Sequence, residues 1–289
     1  MFQLNDKVFF SARSAHFIIF FTLIFLLIAL FAIFFVPLNK SVEFTGGAIF
    51  DVIFFDDTDI KSFTESSRYE IVSVNDPHYI IKVSSSHPFD ITAISNNILQ
   101  FAKIESSSIV APSMTTSLIK KSLFAVIFSV IAVFIYIFLR FNIYYSLGAI
   151  MTIIHDTILS FAFVKITHIE FSISTIAALL TLIGYSINDT VIIYDKIRSN
   201  LTLKSDFTDV IGKSIKDTLP RTIGTSLTTI LAILPVIFFT TGSIQDFCKI
   251  VVFGIIIGTF SSISVSALFL VPFKDKIINI LKFRKTLPQ

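Results

Sequence analysis

Residues 17–36 read FIIFFTLIFLLIALFAIFFV, an apolar run broken only by Thr22. Twenty residues at about 1.5 Å rise each cover a hydrocarbon core of about 30 Å. A signal peptide would carry a shorter apolar region of about 7–15 residues, then a small-residue cleavage site. This run ends instead in Val36-Pro37-Leu38-Asn39-Lys40, so it reads as an uncleaved membrane anchor. Five further apolar runs follow, at roughly 123–139, 143–164, 173–194, 222–241 and 250–273. The expected layout is one span, an aqueous domain, then five spans.

Composition agrees with that layout. Of 289 residues, 54% are hydrophobic and 15% charged, and 34 are Phe. Soluble domains carry about 25% charged residues. Too few charges remain here to cover a soluble surface, which excludes a disordered chain, a coiled coil and an ordinary cytosolic enzyme. The net charge of +3 gives no argument for nucleic acid as a partner. The single cysteine, Cys248, excludes an internal disulfide and any Cys-based zinc or redox motif. No metal site and no cofactor are expected.

Residues 38–120 differ from the rest. Apolar runs are short, and strand-like stretches occur at Ala48–Phe55, Tyr69–Val74, Tyr79–Ser84 and Ile104–Ala111. Two helices are expected between them. One follows Asp56-Asp57-Thr58-Asp59, and one follows the cap Asp90 and runs Ile91–Lys103. Asn75-Asp76-Pro77 suits the turn between the middle strands. The order β-α-β-β-α-β is that of a ferredoxin-like α+β unit.

The basic residues orient the spans. With the N-terminus inside, Lys7, Arg13 and Arg140 are cytoplasmic. So are six basic residues in the loop 195–221 and five in the tail 274–289. The short outer loops hold only Lys165 and Lys249. This divides the chain into 1–37 (cytoplasmic N-terminus and first span), a periplasmic domain at 38–120, spans two to six at 121–273, and a cytoplasmic tail at 274–289.

Polar groups at membrane depth are functional candidates by default, because an ionisable residue there costs about 2.5–3.5 kcal/mol on insertion scales. Asp189 lies within the fourth run, about five residues from its cytoplasmic end. Thr181 and Tyr185 precede it at i−8 and i−4 and share its face. A carboxylate held away from water can load and release a proton; the plainer role is a helix–helix hydrogen bond. His155 and Asp156 lie near the middle of the third run. Neighbours on a helix point about 100° apart, so no pair within that helix is expected. Each could serve a neighbouring helix, or simply pack against Ser or Thr. Arg221 opens the fifth run ahead of Thr222, Thr225, Ser226, Thr228 and Thr229. It is either a routine cytoplasmic anchor or the counter-charge to Asp189. Gly254, Gly258, Ser262 and Ser266 recur every four residues, a stripe that admits close helix packing. Phosphate-loop and nucleophile-elbow motifs are both absent from the sequence, which leaves an ion gradient as the obvious energy source.

These residues resemble the SecF family, the smaller membrane subunits of the SecDF accessory complex of bacterial protein export. The resemblance runs through Val42-Glu43-Phe44-Thr45-Gly46-Gly47, Arg140-Phe141, His155-Asp156, the block Leu182–Val191 with Asp195 and Arg198, Thr218–Ile223, and Gly258–Ile263. The block around Asp189 is the most specific part. Glu43 stands where the family usually has Asp, and Val110-Ala111-Pro112 replaces Val-Gly-Pro, which bears only on the local turn. The resemblance implies six spans of the resistance-nodulation-division type in the inner membrane. It also implies a SecD-like partner, the Sec translocation channel and a translocating preprotein, besides membrane lipid. By motif match it places the proton-transport pair on Asp189 and Arg221, with His155, Asp156, Tyr185, Asn188 and Thr222 as supporting polar residues and Gly254, Gly258 and Ser262 as packing residues. The alternatives are a proton-coupled small-molecule exporter on the same scaffold and a purely structural subunit.

Overall fold

The computed structural model describes residues 12–55, 63, 70–75, 78–84, 91–110, 112–202 and 206–286. Each of the six apolar runs is a helix: α1 (Ala12–Phe35), α4 (Pro112–Arg140), α5 (Ile143–Ile166), α6 (Ile173–Asn200), α7 (Phe207–Phe239) and α8 (Gly242–Leu270). Between α1 and α4 lie the one-turn helix α2 (Val42–Thr45), strands β1 (Gly47–Phe54), β2 (Glu70–Asn75) and β3 (His78–Ser84), helix α3 (Ile91–Ile98) and strand β4 (Ala102–Val110). A 3₁₀ turn at Val271–Phe273 leads into α9 (Lys274–Thr286). The chain is therefore a helical membrane protein with a small α+β segment.

The helices start where the sequence supplies caps. Pro112 opens α4, a position where its missing N–H costs nothing. Asn142 accepts from the Tyr144 and Tyr145 amides at the start of α5. Ser172 and Thr175 form a capping box on α6, and Asp206 accepts from the Thr208 amide on α7. That last cap corrects one expectation. Residues 195–221 are mostly helix rather than loop, because α6 continues to Asn200 and α7 begins at Phe207. The extension of α7 is held by an apolar face, Phe207, Val210, Ile211 and Ile215, packed with Ile193, Tyr194 and Ile197 of α6.

The sheet has the order β2-β3-β1-β4, with each neighbouring pair antiparallel. Strand β3 is thus inserted between β1 and β2, which run parallel to each other, as a split β-α-β arrangement requires. One face is apolar: Ala48, Phe50, Val52 and Phe54 alternate along β1 and pack with Phe63, Ile81, Val83, Ile98 and Ala102. Helix α3 stops at Ile98, short of the expected Lys103, because β4 already pairs from Ala102. Asn75 lies opposite His78. The expected helix after Asp59 (Phe63 apart), the residues Asp76 and Pro77, the cap Asp90 and Ala111 lie outside the described residues.

A short junction fastens this unit to the helices. Phe171 donates its amide to the Asn39 carbonyl at 2.7 Å, and Ser41 donates to the Phe171 carbonyl at 3.1 Å. Lys82 on β3 pairs with Glu170 at 2.5 Å. Gly46 and Gly47 have φ of 79° and 142°, and a Cβ on Gly47 would run into the Val83 carbonyl, so the chain turns from α2 into β1 only with glycine there.

The six helices are not equivalent. In their most apolar windows α5, α6 and α8 are 56%, 50% and 56% buried, against 11%, 6% and 11% for α1, α4 and α7. The first three form the packed centre of the bundle. The others lie around it with long apolar faces uncovered.

Candidate intramembrane polar site

Asp189 sits on α6, the central helix, and is 1% exposed. Neither carboxylate oxygen accepts a hydrogen bond among the described residues. One turn earlier, Tyr185 donates to Ser226 Oγ at 3.4 Å and reaches Thr229 Oγ1 at 3.5 Å, both on α7. Ser226 is in turn 2.7 Å from Thr259 of α8. A polar thread therefore crosses from α6 through α7 to α8 one turn from Asp189. Thr181 does not join it; it is exposed and bonds the Ala177 carbonyl. Asn188 is exposed and lies off the thread.

The middle of α7 supplies the other half. Arg221 follows the intrahelical Pro220, is exposed, and acts electrostatically on Asp189 without hydrogen-bonding to it. Thr222 is 0% exposed, and its hydroxyl has no partner among the described residues. Thr225 and Thr228 return their hydroxyls to carbonyls of their own helix, the usual local alternative for such residues. Asp195 and Arg198, conspicuous in the motif, instead hold Arg140. Asp195 pairs with its guanidinium at 2.6 Å, and Arg198 donates to its carbonyl at 3.1 Å.

His155 and Asp156 do pair, contrary to the helical-wheel expectation. His155 Nδ1 lies 3.0 Å from Asp156 Oδ1, the two buried side chains leaning toward each other from adjacent positions. The other carboxylate oxygen accepts from Ser186 of α6 at 2.6 Å and Ser261 of α8 at 2.8 Å. Asp156 thus joins the three central helices, and every donor it meets is a short neutral or imidazole group. Ser186 and Ser261 carry no sequence signal of this role, since hydroxyls at that spacing are common.

The small-residue stripe on α8 faces the same place. A Cβ on Gly254 would overlap the Leu182 side chain. One on Gly258 would come within 3.2 Å of Ser186 Cβ and 3.6 Å of Asp156 Oδ2. Ser262 is buried and bonds the Thr259 carbonyl. Further along, Gly148 makes room for the Tyr194 hydroxyl, which donates to the Ser266 carbonyl at 3.3 Å.

Two contacts reach the ends of helices. Glu43, from α2, accepts from the amide of Ile173 at 2.6 Å, at the first residue of α6. A carboxylate there meets the positive end of the helix dipole. Lys165 donates to the Ile33 carbonyl of α1. That carbonyl would ordinarily bond the amide of residue 37, which is proline and has none. A lysine counted by sequence as an outer-loop charge is therefore buried, serving a helix end.

The fold and this buried polar centre define a six-helix membrane protein whose charges are gathered between packed helices. Residues 90–276 match the family described as protein export membrane protein SecD/SecF, C-terminal. The protein translocase subunit SecF of Rickettsia prowazekii is 36% identical over 276 residues, covering 90% of this chain and 89% of that protein. The SecF of Rickettsia felis is 45% identical over 172 residues, which is 59% of this chain and 56% of that protein. The crystal structure of SecDF from Thermus thermophilus, a translocon-associated membrane protein, superposes with a TM-score of 0.78 at 28% identity. That match takes in 91% of this chain and 38% of the SecDF chain. A SecDF structure in a super-membrane-facing form gives 0.69 at 26% identity, over 95% of this chain and 40% of the other. The chain belongs to the SecD/SecF protein export family and is a SecF subunit.

Proposed function

We propose that this subunit helps export proteins by coupling a proton gradient to motion of its sheet unit. The observation that carries this reading is Asp189, a carboxyl buried within the fourth apolar run whose two oxygens have no hydrogen-bond partner among the described residues. A neutral acid can rest there without a counter-charge. Once its proton leaves, it needs one, and Arg221 is the cation whose charge reaches it. Proton loss therefore draws the middle of α7, around Arg221, toward α6, and proton gain releases it. The Tyr185–Ser226–Thr259 thread is the set of bonds that must re-form as those helices shift.

Helix α6 also supplies the linkage to the outer unit. Sixteen residues separate Ile173 from Asp189, about 24 Å of helix at 1.5 Å per residue. Glu43 holds the far end. A tilt of α6 moves Glu43, and through Gly46–Gly47 it moves the sheet. A gradient of 150 mV offers roughly 3.5 kcal/mol per proton at about 2.3 kcal/mol per 100 mV, comparable to an ordinary conformational gap. In this reading residues 38–120 are outside the inner membrane, both termini are cytoplasmic, and the chain works with a SecD-like subunit and the Sec channel on an emerging preprotein. The pseudo-symmetric partner would cover part of the apolar face left by α1, α4 and α7.

Proton flux into liposomes holding the subunit with its partner tests this. Asp189→Asn abolishes gradient-driven uptake while the complex still assembles, and Arg221→Lys reduces it. Unchanged flux in both variants would make Asp189 a packing group and Arg221 a plain anchor. The second reading, a small-molecule exporter, draws on an apolar cavity of about 350 Å³ lined by Leu38, Phe44, Leu123, Phe161, Phe171 and Leu179 among others. Its volume suits a drug-sized ligand. Purification from native membranes separates the two: a trapped secretory polypeptide supports export, a bound small molecule supports efflux.

A further inference from the structure

The face of the sheet opposite its apolar side brings together three residues that are far apart in sequence: Asp51 of β1, His78 of β3 and Glu105 of β4. His78 Nδ1 is 3.5 Å from Glu105 Oε2 and 3.9 Å from Asp51 Oδ1, and the three atoms all lie within 4.8 Å of one another. Ligands held at about 2.0–2.2 Å around a tetrahedral ion stand roughly 3.3–3.6 Å apart. The His78–Glu105 separation already lies in that range, His78–Asp51 is a few tenths of an ångström wider, and rotation of the exposed Asp51 and Glu105 side chains would close the third distance.

The backbone explains how the third residue joins. Asp51 pairs with Ser106 and Val52 with Ile104, so Glu105 is the extra residue of a β-bulge. A bulge re-aims a side chain, and here it turns Glu105 toward Asp51. In register, Asp51 lies opposite Ile80 and Ile53 opposite His78, so Asp51 and His78 are diagonal neighbours on one face. An imidazole with two carboxylates is a borderline donor set that suits a zinc-class divalent cation better than magnesium or calcium, which take oxygen throughout. All three side chains are about two-fifths exposed, so a fourth position stays open to water.

We infer that Asp51, His78 and Glu105 form a three-ligand site for a divalent cation of the zinc class. The ion would tie together the three strands β1, β3 and β4. The inference is independent of proton coupling, since none of these residues approaches Asp189. Sequence spacing does not reveal it, because the ligands are 27 residues apart in each step and only the strand order joins them.

The test uses the untagged full chain with its partner in detergent, titrated with zinc(II) alone and separately with cobalt(II) alone. The expected result is one saturable equivalent of zinc and a visible cobalt absorption of the intense, four-coordinate kind. Both are lost in His78→Gln and in Glu105→Gln, and both are kept in Asp189→Asn. Absence of saturable binding, or binding that survives both substitutions, overturns the proposal. Should a variant fail to fold, the cobalt spectrum of the unmodified chain decides alone: a pale six-coordinate spectrum overturns the site.

Discussion

At the residue scale, buried polar atoms separate into those that are answered and those that are not. Lys165 is answered by a need created 128 residues earlier in the chain. Pro37 leaves the Ile33 carbonyl without its helical donor, and Lys165 supplies one. Lys165→Met leaves that carbonyl unpaired and costs about 1–3 kcal/mol of stability. Restoring an amide at the same point, with Pro37→Ala in the Lys165→Met chain, recovers much of it. Thermal unfolding in detergent of the single and double variants checks both statements. Asp189 is the opposite case, a carboxyl with no donor among the described residues. Its isolation is what distinguishes it from Asp156, which meets three partners. Both residues look alike in sequence, as acids within apolar runs. The difference lies in which hydroxyls face them from other helices, and a single sequence carries no register between helices.

At the element scale, α5, α6 and α8 are held by one another and α1, α4 and α7 surround them. Asp156 is the polar hub of the inner three, so Asp156→Ala strands the Ser186 hydroxyl and the His155 Nδ1 and leaves Ser261 only its bond to the Gly258 carbonyl. Each buried polar group left unpaired costs about 1–3 kcal/mol. The expected outcome is a sharply lowered unfolding temperature in detergent, well beyond that of Asp189→Asn, which breaks no hydrogen bond. The spans were legible in the sequence because twenty apolar residues have few other uses. The four strands were legible as well, each within two residues of its expected bounds, because turn residues and short apolar runs mark β1 to β4. The length of α7 was not. Its first turns are polar on one side, and the apolar stripe Phe207, Val210, Ile211 and Ile215 becomes meaningful only once Ile193, Tyr194 and Ile197 are seen beneath it. The His155–Asp156 pair escaped because a wheel projection treats side chains as radial spokes, whereas real ones bend. Glu105 escaped because a bulge leaves no signature in one sequence.

At the scale of the whole molecule, the sheet unit rests on the bundle through the Asn39–Phe171 strand-like contact, the Lys82–Glu170 pair and Glu43 on α6. In the proposed topology this junction lies on the outer side of the membrane, the side that the distribution of basic residues favours. The arrangement predicts a labelling pattern. With the buried Cys248 replaced by Ser, Ser106→Cys reacts in intact cells with a membrane-impermeant maleimide. Lys213→Cys reacts only after the membrane is opened. The reverse pattern would invert the topology and, with it, the direction of any proton-driven stroke.

The central claim is that a proton on Asp189 drives export through α6. The most direct measurement follows completion of preprotein translocation in membrane vesicles after ATP is removed, with and without an imposed proton gradient. The account predicts that Asp189→Asn assembles with its partner and channel but gains nothing from the gradient. A variant whose translocation is stimulated as strongly as the unmodified protein's would contradict it.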